Sequence, residues 1–239
     1  ASKTRIKLSV EDNEGPADVP VDLVSNGQTT VAIVGGQSLL IVAAIAAAKI
    51  LDVPNLGLGA DFVLNSESIQ NGAIATIPLI ALAFFLDKIE KDFPALTDVS
   101  KATQRSVLSL LGGSRRPIIA LGISTALGLA AGLGEEMLFR GVLQSELSDR
   151  FGEVLALTSS AIIFGALHAV TPLYAALAGI ASLYFGELFV QSHNLAVPIV
   201  AHGLYDIGAL MAAHLEVTGM SDEEQTALVY WEPPVPGQE

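Results

Sequence analysis

Three pairs of residues in the apolar stretches of the chain are spaced four apart and contain ionisable side chains. They are Glu136–Arg140, Phe164–His168 and His202–Asp206. Residues at this spacing are neighbours on one face of a helix, and an ionisable group at membrane depth is costly enough to indicate function. We therefore expect three polar helix faces to converge on an interior cavity. The chain contains no cysteine, so chemistry in that cavity would use carboxylates, imidazoles and hydroxyls.

Two kinds of chemistry fit these residue types. A carboxylate and an imidazole around one water form a general-base arrangement for hydrolysis. Two imidazoles with two carboxylates also suit a divalent metal with nitrogen and oxygen ligands. The candidate metal ligands are Glu135, His168, His202 and Asp206.

The two adjacent glutamates are separated by helix geometry. At about 100° per residue, Glu136 lies roughly 40° from Arg140 around the helix, whereas Glu135 lies roughly 140° away. We expect Glu136 to form a structural ion pair with Arg140, and Glu135 to remain available for chemistry.

The three motifs resemble those of the CPBP family, the CAAX-processing and bacteriocin-processing intramembrane proteases, also called the Abi family. The family patterns are Glu-Glu-x-x-x-Arg, Phe-x-x-x-His and His-x-x-x-Asn/Asp. This chain has Glu135-Glu136-Met-Leu-Phe-Arg140, then Phe164-x-x-x-His168, then His202-x-x-x-Asp206. All three occur in order over residues 135–206, and the wider likeness to a helical membrane bundle covers about 30–214.

The resemblance implies an intramembrane endopeptidase in which Glu135 and His168 activate water for attack on a peptide bond. It assigns His202 and Asp206 to stabilising the oxyanion or, on a rival view, to helping ligate a metal. An ionised aspartate cannot donate a hydrogen bond, whereas asparagine can. Asp206 must therefore be protonated to donate, orient His202, or serve a cation.

The composition indicates the elements that hold these motifs. Of the 239 residues 51% are hydrophobic and 15% charged, with a mean hydropathy of +0.54, which predicts an all-α, polytopic transmembrane bundle of about six to eight helices. Gly128-xxx-Gly132 predicts a close helix contact. The candidate spans are about Thr29–Leu51, Ile69–Leu86, Ile118–Gly134, Val154–Val170, Leu173–Val190 and Leu195–His214, with a more charged helical piece at Glu135–Leu147.

We divide the chain into a polar N-terminal tail (1–28), the membrane domain (29–214) and an acidic, proline-rich C-terminal tail (215–239). Basic residues concentrate in the N-terminal tail and in Asp87–Arg116, so these segments are expected on the cytoplasmic-type face. The segment Asp87–Arg116 is predicted to form either an interfacial helix or a solvated loop. One helical face would hold Val99, Ala102, Val107, Leu110 and Leu111.

A second hypothesis is a non-proteolytic assembly or scaffold subunit of a larger membrane complex. Relatives of the CPBP family occur in plastid membranes, and a chain that begins at Ala1 is compatible with a removed transit peptide. We therefore favour the plastid thylakoid over a bacterial inner membrane, with lipids or pigments as cofactors in a photosynthetic complex. The tail around Trp231 is either disordered or a docking peptide for such a complex.

The expected partners are membrane lipid and either a membrane-protein or peptide substrate or that larger complex. A nucleic-acid partner is not expected, because the net charge is −13. Glu187 fits no motif and is interpreted as a helix-end carboxylate or a packing partner. A CAAX substrate is not expected, because it would require prenylated proteins in the same compartment.

Overall fold

The protein folds as a bundle of helices. The computed structural model describes residues 27–234, so most of the predicted N-terminal tail (1–28) and the last five residues lie outside it. Short 3₁₀ turns occupy Pro54–Gly57 and Glu90–Asp92, and a π-helical segment, Met137–Gln144, joins α4 to α5. Within the described residues the α-helices are α1 Gly27–Leu51, α2 Ser66–Ile89, α3 Pro94–Leu111, α4 Pro117–Glu136, α5 Ser145–Phe151, α6 Glu153–Leu167, α7 Pro172–Ser192, α8 Ala196–Val217 and α9 Asp222–Tyr230.

The predicted all-α, polytopic membrane bundle is confirmed. In the part of the chain that the structure describes, five helices are long and apolar enough to cross a membrane: α1, α2, the continuous helix Pro117–Phe151, α7 and α8. The fourth predicted span, about Val154–Val170, is shorter than expected, because α6 ends at Leu167. Its 15 residues extend about 22 Å, less than the ~30 Å hydrocarbon layer.

The basic segment between the second and third spans contains an amphipathic helix. Helix α3 buries the predicted apolar face, where Val107, Leu110 and Leu111 pack with Ala120 of α4 and Ala213 of α8. The segment therefore forms a helix, and a wholly solvated loop is wrong. Its location at the membrane interface stays a prediction. The helix begins at Pro94, where the missing N–H of proline costs no hydrogen bond.

Disorder is the wrong interpretation for residues 222–230, which form α9. Leu228 packs with Leu108 and Val217. The N–H of Ser221 donates to the carboxylate of Glu224, which holds the pKa of Glu224 below its ordinary value. Hydrogen bonding and apolar burial thus hold this part of the tail on the bundle.

Helices α4 and α8 approach closely at the predicted glycine pair. A Cβ on Gly128 would lie 2.8 Å from the carbonyl oxygen of Gly203, and one on Gly132 would lie 2.9 Å from its backbone nitrogen. Real side chains do not tolerate such distances, so the glycines let the two backbones touch. The contact places the third motif, which starts at His202, beside the first motif at the end of α4.

Candidate active site

The first motif lies where α4 changes into the π-helical segment. Glu135 and Glu136 end α4, and Arg140 lies within the segment Met137–Gln144. The hydroxyl of Ser145 donates to the carbonyl oxygen of Arg140 (3.0 Å). Such segments in α-helices are frequent at functional sites.

The π-helical segment is held against the loop between α1 and α2. Gly141 contacts the carbonyl group of Gly57 with no room for a Cβ. Gly57 has φ +96°, a left-handed conformation that glycine adopts without strain. The loop therefore fixes the position of the helix that bears the first motif.

Glu136 and Arg140 form the expected ion pair. The distance from Arg140 Nη1 to Glu136 Oε1 is 3.1 Å, and both side chains are fully buried. Arg140 Nη2 donates to the carbonyl oxygen of Ser182 (2.7 Å) and to its hydroxyl (2.8 Å). The guanidinium carbon lies 5.2 Å from the ring centre of Phe164 and 5.5 Å from that of Phe185. Arg140 thereby links the first motif to α7.

His202 is bound to the same glutamate. Its Nδ1 lies 2.7 Å from Glu136 Oε1, and its ring stacks on Phe185 with centroids 4.7 Å apart. An ionised carboxylate only accepts hydrogen bonds, so we assign the proton to Nδ1. The opposite ring nitrogen, Nε2, then faces Asp206 Oδ2 at 3.5 Å and Glu135 Oε2 at 4.0 Å.

His168 follows the last residue of α6. Its backbone N–H donates to Gly165, and its Nδ1 lies 2.8 Å from the carbonyl oxygen of Phe164. The imidazole stacks on the Phe164 ring at 4.2 Å. Because a carbonyl oxygen only accepts, we assign a proton to Nδ1. The other ring nitrogen, Nε2, lies 3.9 Å from Glu135 Oε2.

Glu135 lies at the centre of the cluster. Its side chain is 6% exposed, whereas those of His168 and Asp206 are 30% and 28% exposed, so the cluster opens to its surroundings at these two residues. Glu135 Oε1 accepts a hydrogen bond of 3.0 Å from Nε2 of Gln37, in α1. The predicted motifs do not include Gln37. A glutamine in an otherwise apolar span was the signal that could have found it.

The structure thus brings together all six predicted site residues: Glu135, Glu136, Arg140, His168, His202 and Asp206. Three carboxylates face one guanidinium and two imidazoles. Sequence reasoning also missed Ser182, which binds Arg140, and Phe185, which stacks on His202; each lies in an apolar helix whose partners the sequence does not reveal.

The predicted metal ligands do not form a metal site as they are placed. Among residues 27–234 no group of three or more His, Cys, Asp or Glu side chains is arranged to hold a metal ion. His202 directs Nδ1 to Glu136, so only its Nε2 side faces Glu135 and Asp206.

Glu187 and two further histidines, His193 and His214, take no part in this cluster. Glu187 is exposed on α7 and accepts a hydrogen bond from Gln191 (2.8 Å) one turn before the helix ends. His193 lies in the turn between α7 and α8 with φ 52°. His214 is fully buried and accepts the N–H of Arg116 at the start of α4.

The comparison with protein families matches the part of the chain that builds this cluster. The family model of the type II CAAX prenyl endopeptidases, Rce1-like, aligns with residues 117–208. This segment is similar to the Rce1-like family. The match runs from the first residue of α4 into α8, spans less than half of the chain and contains all three motifs. The predicted resemblance to CPBP-type intramembrane proteases is therefore confirmed for this segment. No curated protein and no solved structure is significantly similar to the chain.

Proposed function

We propose that the protein is an intramembrane endopeptidase that hydrolyses a peptide bond at or in the bilayer. The observation that carries this proposal is the position of Glu135 Oε2, 3.9 Å from Nε2 of His168 and 4.0 Å from Nε2 of His202. These gaps are too long for direct hydrogen bonds, and a bridging water is the usual mediator across such distances.

The proposed reaction begins with removal of a proton from water by Glu135. The water oxygen bonds to the carbonyl carbon of the substrate, and negative charge develops on the carbonyl oxygen. Collapse of this intermediate breaks the C–N bond, and the departing amine takes up the proton that the water released. His168 lies at the open side of the cluster, where its Nε2 can pass this proton between Glu135 and the leaving nitrogen.

His202 is the proposed donor to the oxyanion. Its Nδ1–H is used by Glu136, so donation from Nε2 requires the imidazolium form. A positive donor near the developing negative charge stabilises the transition state more than the ground state.

Asp206 is proposed to orient His202. An ionised aspartate cannot donate to an oxyanion, and Oδ2 lies 3.5 Å from Nε2 of His202. This distance supports a role in which the charge of Asp206 orients the imidazole of His202. An asparagine at this position would instead donate a hydrogen bond to the oxyanion.

An apolar groove beside the cluster supports a membrane-embedded substrate. The groove has a volume of about 450 Å³ and lies between α1, α6 and the helix from Leu138 to Phe151. Leu167, the residue before His168, is one of its walls. We propose that the groove holds an apolar flank of the substrate. The prenyl chain in the description of the family is one such group, and prenylated and unprenylated reporters distinguish it from an apolar peptide.

The test is cleavage of a membrane-anchored fluorescent peptide by the purified protein in liposomes. We expect Glu135→Gln to lower kcat by at least about a hundredfold, the lower end of what general acid–base catalysis contributes. Glu187→Gln, which makes the same chemical change on an exposed carboxylate of α7, should cleave like the wild type. Metal analysis of the same sample tests the predicted divalent metal.

The opposite result would favour the scaffold hypothesis. No cleavage of any reporter by the wild type, together with a co-purifying partner that is lost on deletion of residues 221–239, would overturn the endopeptidase proposal. We propose the plastid thylakoid as the compartment because the motifs resemble those of the CPBP family. Fractionation of cells and pigment analysis of the purified protein test it.

A further inference from the structure

Gln37 is a polar residue on the bundle-facing side of α1. Together with Ile41, Ala44 and Ala48 it follows a spacing of four, three and four residues, which places these side chains on one helical face. Ala44 and Ala48 are buried, and Ile41 lies against Gly134, where a Cβ would come within 3.2 Å of it. The packing of α1 on α4 therefore directs Gln37 towards the residue that follows Gly134.

That residue is Glu135, and the contact between the two side chains is direct. Gln37 Nε2 donates to Glu135 Oε1 at 3.0 Å. The neighbouring cation, Arg140, is engaged by Glu136, so the amide of Gln37 supplies a hydrogen bond that the motif itself does not. With Oε1 held in this way, Oε2 is the oxygen that faces the two imidazoles.

We propose that Gln37 is a positioning residue that fixes the carboxylate of Glu135 for reaction. A glutamate side chain has three rotatable bonds, and a reacting group that is displaced by about 1 Å loses up to about a hundredfold in rate. A hydrogen bond to one carboxylate oxygen from a different helix removes that freedom. The inference rests on the proposed peptidase function for its effect on rate, but the contact itself does not.

The first test compares two variants of Gln37 in the liposome assay. Gln37→Met keeps the length of the side chain and removes the donor, and Gln37→Glu keeps the shape and replaces the amide with a carboxyl group. We expect each to lower kcat about ten- to a hundredfold at neutral pH, with KM within about twofold. The activity of Gln37→Glu relative to wild type should rise as the pH falls, because a protonated carboxyl group donates where a carboxylate repels.

Ser38→Ala is the matched control. The hydroxyl of Ser38 donates to the carbonyl oxygen of Val34 in the same helix, so its loss should leave kcat and KM unchanged. A role of Gln37 in packing alone predicts wild-type kcat for the isosteric Gln37→Glu at every pH. That result would overturn the proposal.

A second readout does not depend on cleavage. The infrared difference spectrum between wild type and Glu135→Gln isolates the carboxylate stretching band of Glu135, and Gln37→Met should shift that band. If the wild type cleaves no reporter and the band shifts, the peptidase proposal fails while Gln37 still positions Glu135. An unshifted band refutes the contact whether or not the protein cleaves. Should Gln37→Met not fold, Gln37→Glu decides by the same measurement.

Discussion

Removal of the Arg140 guanidinium is the sharpest test of how the buried cluster is held together. Arg140→Met keeps an unbranched apolar stem and removes three hydrogen bonds, one to Glu136 and two to Ser182. Glu136 remains fully buried with only the Nδ1–H of His202 as its partner among these groups. An uncompensated buried charge destabilises strongly, and breaking a buried pair costs about 3–5 kcal/mol.

A second substitution separates the cost of leaving Glu136 without its cation from the cost of the hydrogen bonds lost at Ser182. Glu136→Gln removes the buried charge and still accepts the hydrogen bond from His202, so the double variant Glu136→Gln/Arg140→Met should be more stable than Arg140→Met alone. The Ser182 hydroxyl loses the hydrogen bond from Arg140 in both variants, which costs about 1–3 kcal/mol, whereas the carbonyl oxygen of Ser182 lies within α7. We therefore expect recovery of about 2 kcal/mol, and not of the full loss.

The assay is equilibrium unfolding in mixed detergent micelles, with helix content as the signal and four proteins in a double-mutant cycle. The cycle uses wild type, both single variants and the double variant. A loss below about 1 kcal/mol for Arg140→Met would refute the view that Glu136 depends on this cation. So would a double variant that is no more stable than Arg140→Met.

Three further predictions concern the role of Asp206, substrate binding in the apolar groove and the contact between α4 and α8. Asp206→Asn should keep kcat/KM within about threefold, because asparagine accepts from His202 and also donates to an oxyanion; a hundredfold loss would contradict this. Ile163→Trp, which fills the apolar groove, should raise KM for apolar reporters and leave kcat unchanged, and an unchanged KM would remove the groove from substrate binding. Gly132→Ala should lower the free energy of unfolding by about 1–3 kcal/mol, because the added Cβ would meet the α8 backbone. In the control Gly122→Ala the added Cβ has no atom within 4 Å, so the free energy of unfolding should not change.

Contacts within one helix could be predicted from the sequence, and contacts between helices mostly could not. The pairing of Glu136 with Arg140 follows from a spacing of four residues, and it forms as expected. The close approach at Gly128 and Gly132 was predictable as a contact, but its partner Gly203 was not. A pattern of small residues predicts that another helix packs closely at that point. It does not identify which helix that is.

The end of α6 shows a second limit. The apolar run continues to Val170, and hydropathy alone extended the helix to that point. Pro172 begins the next helix and Thr171 before it is extended, as the residue before a proline prefers, so α6 has to end before Thr171. At this helix end the N–H of His168 donates to the carbonyl oxygen of Gly165. The carbonyl oxygen of Phe164 therefore accepts from the His168 imidazole instead.

The different surroundings of two adjacent glutamates follow from the helices they face. Glu136 is fully buried, and its Oε1 accepts from His202 of α8 and from Arg140, which is itself bound to Ser182 of α7. Glu135 points towards α1 and the end of α6, where one oxygen accepts from Gln37 and the other faces His168 and His202 without a direct hydrogen bond. A carboxylate with one oxygen held and the other turned to two imidazoles is suited to take a proton, whereas one anchored to a guanidinium and an imidazole is suited to hold its neighbours. The helical rotation of about 100° per residue therefore gives Glu136 a structural environment and leaves Glu135 for the proposed reaction, with the amide of Gln37 in α1 holding it in place.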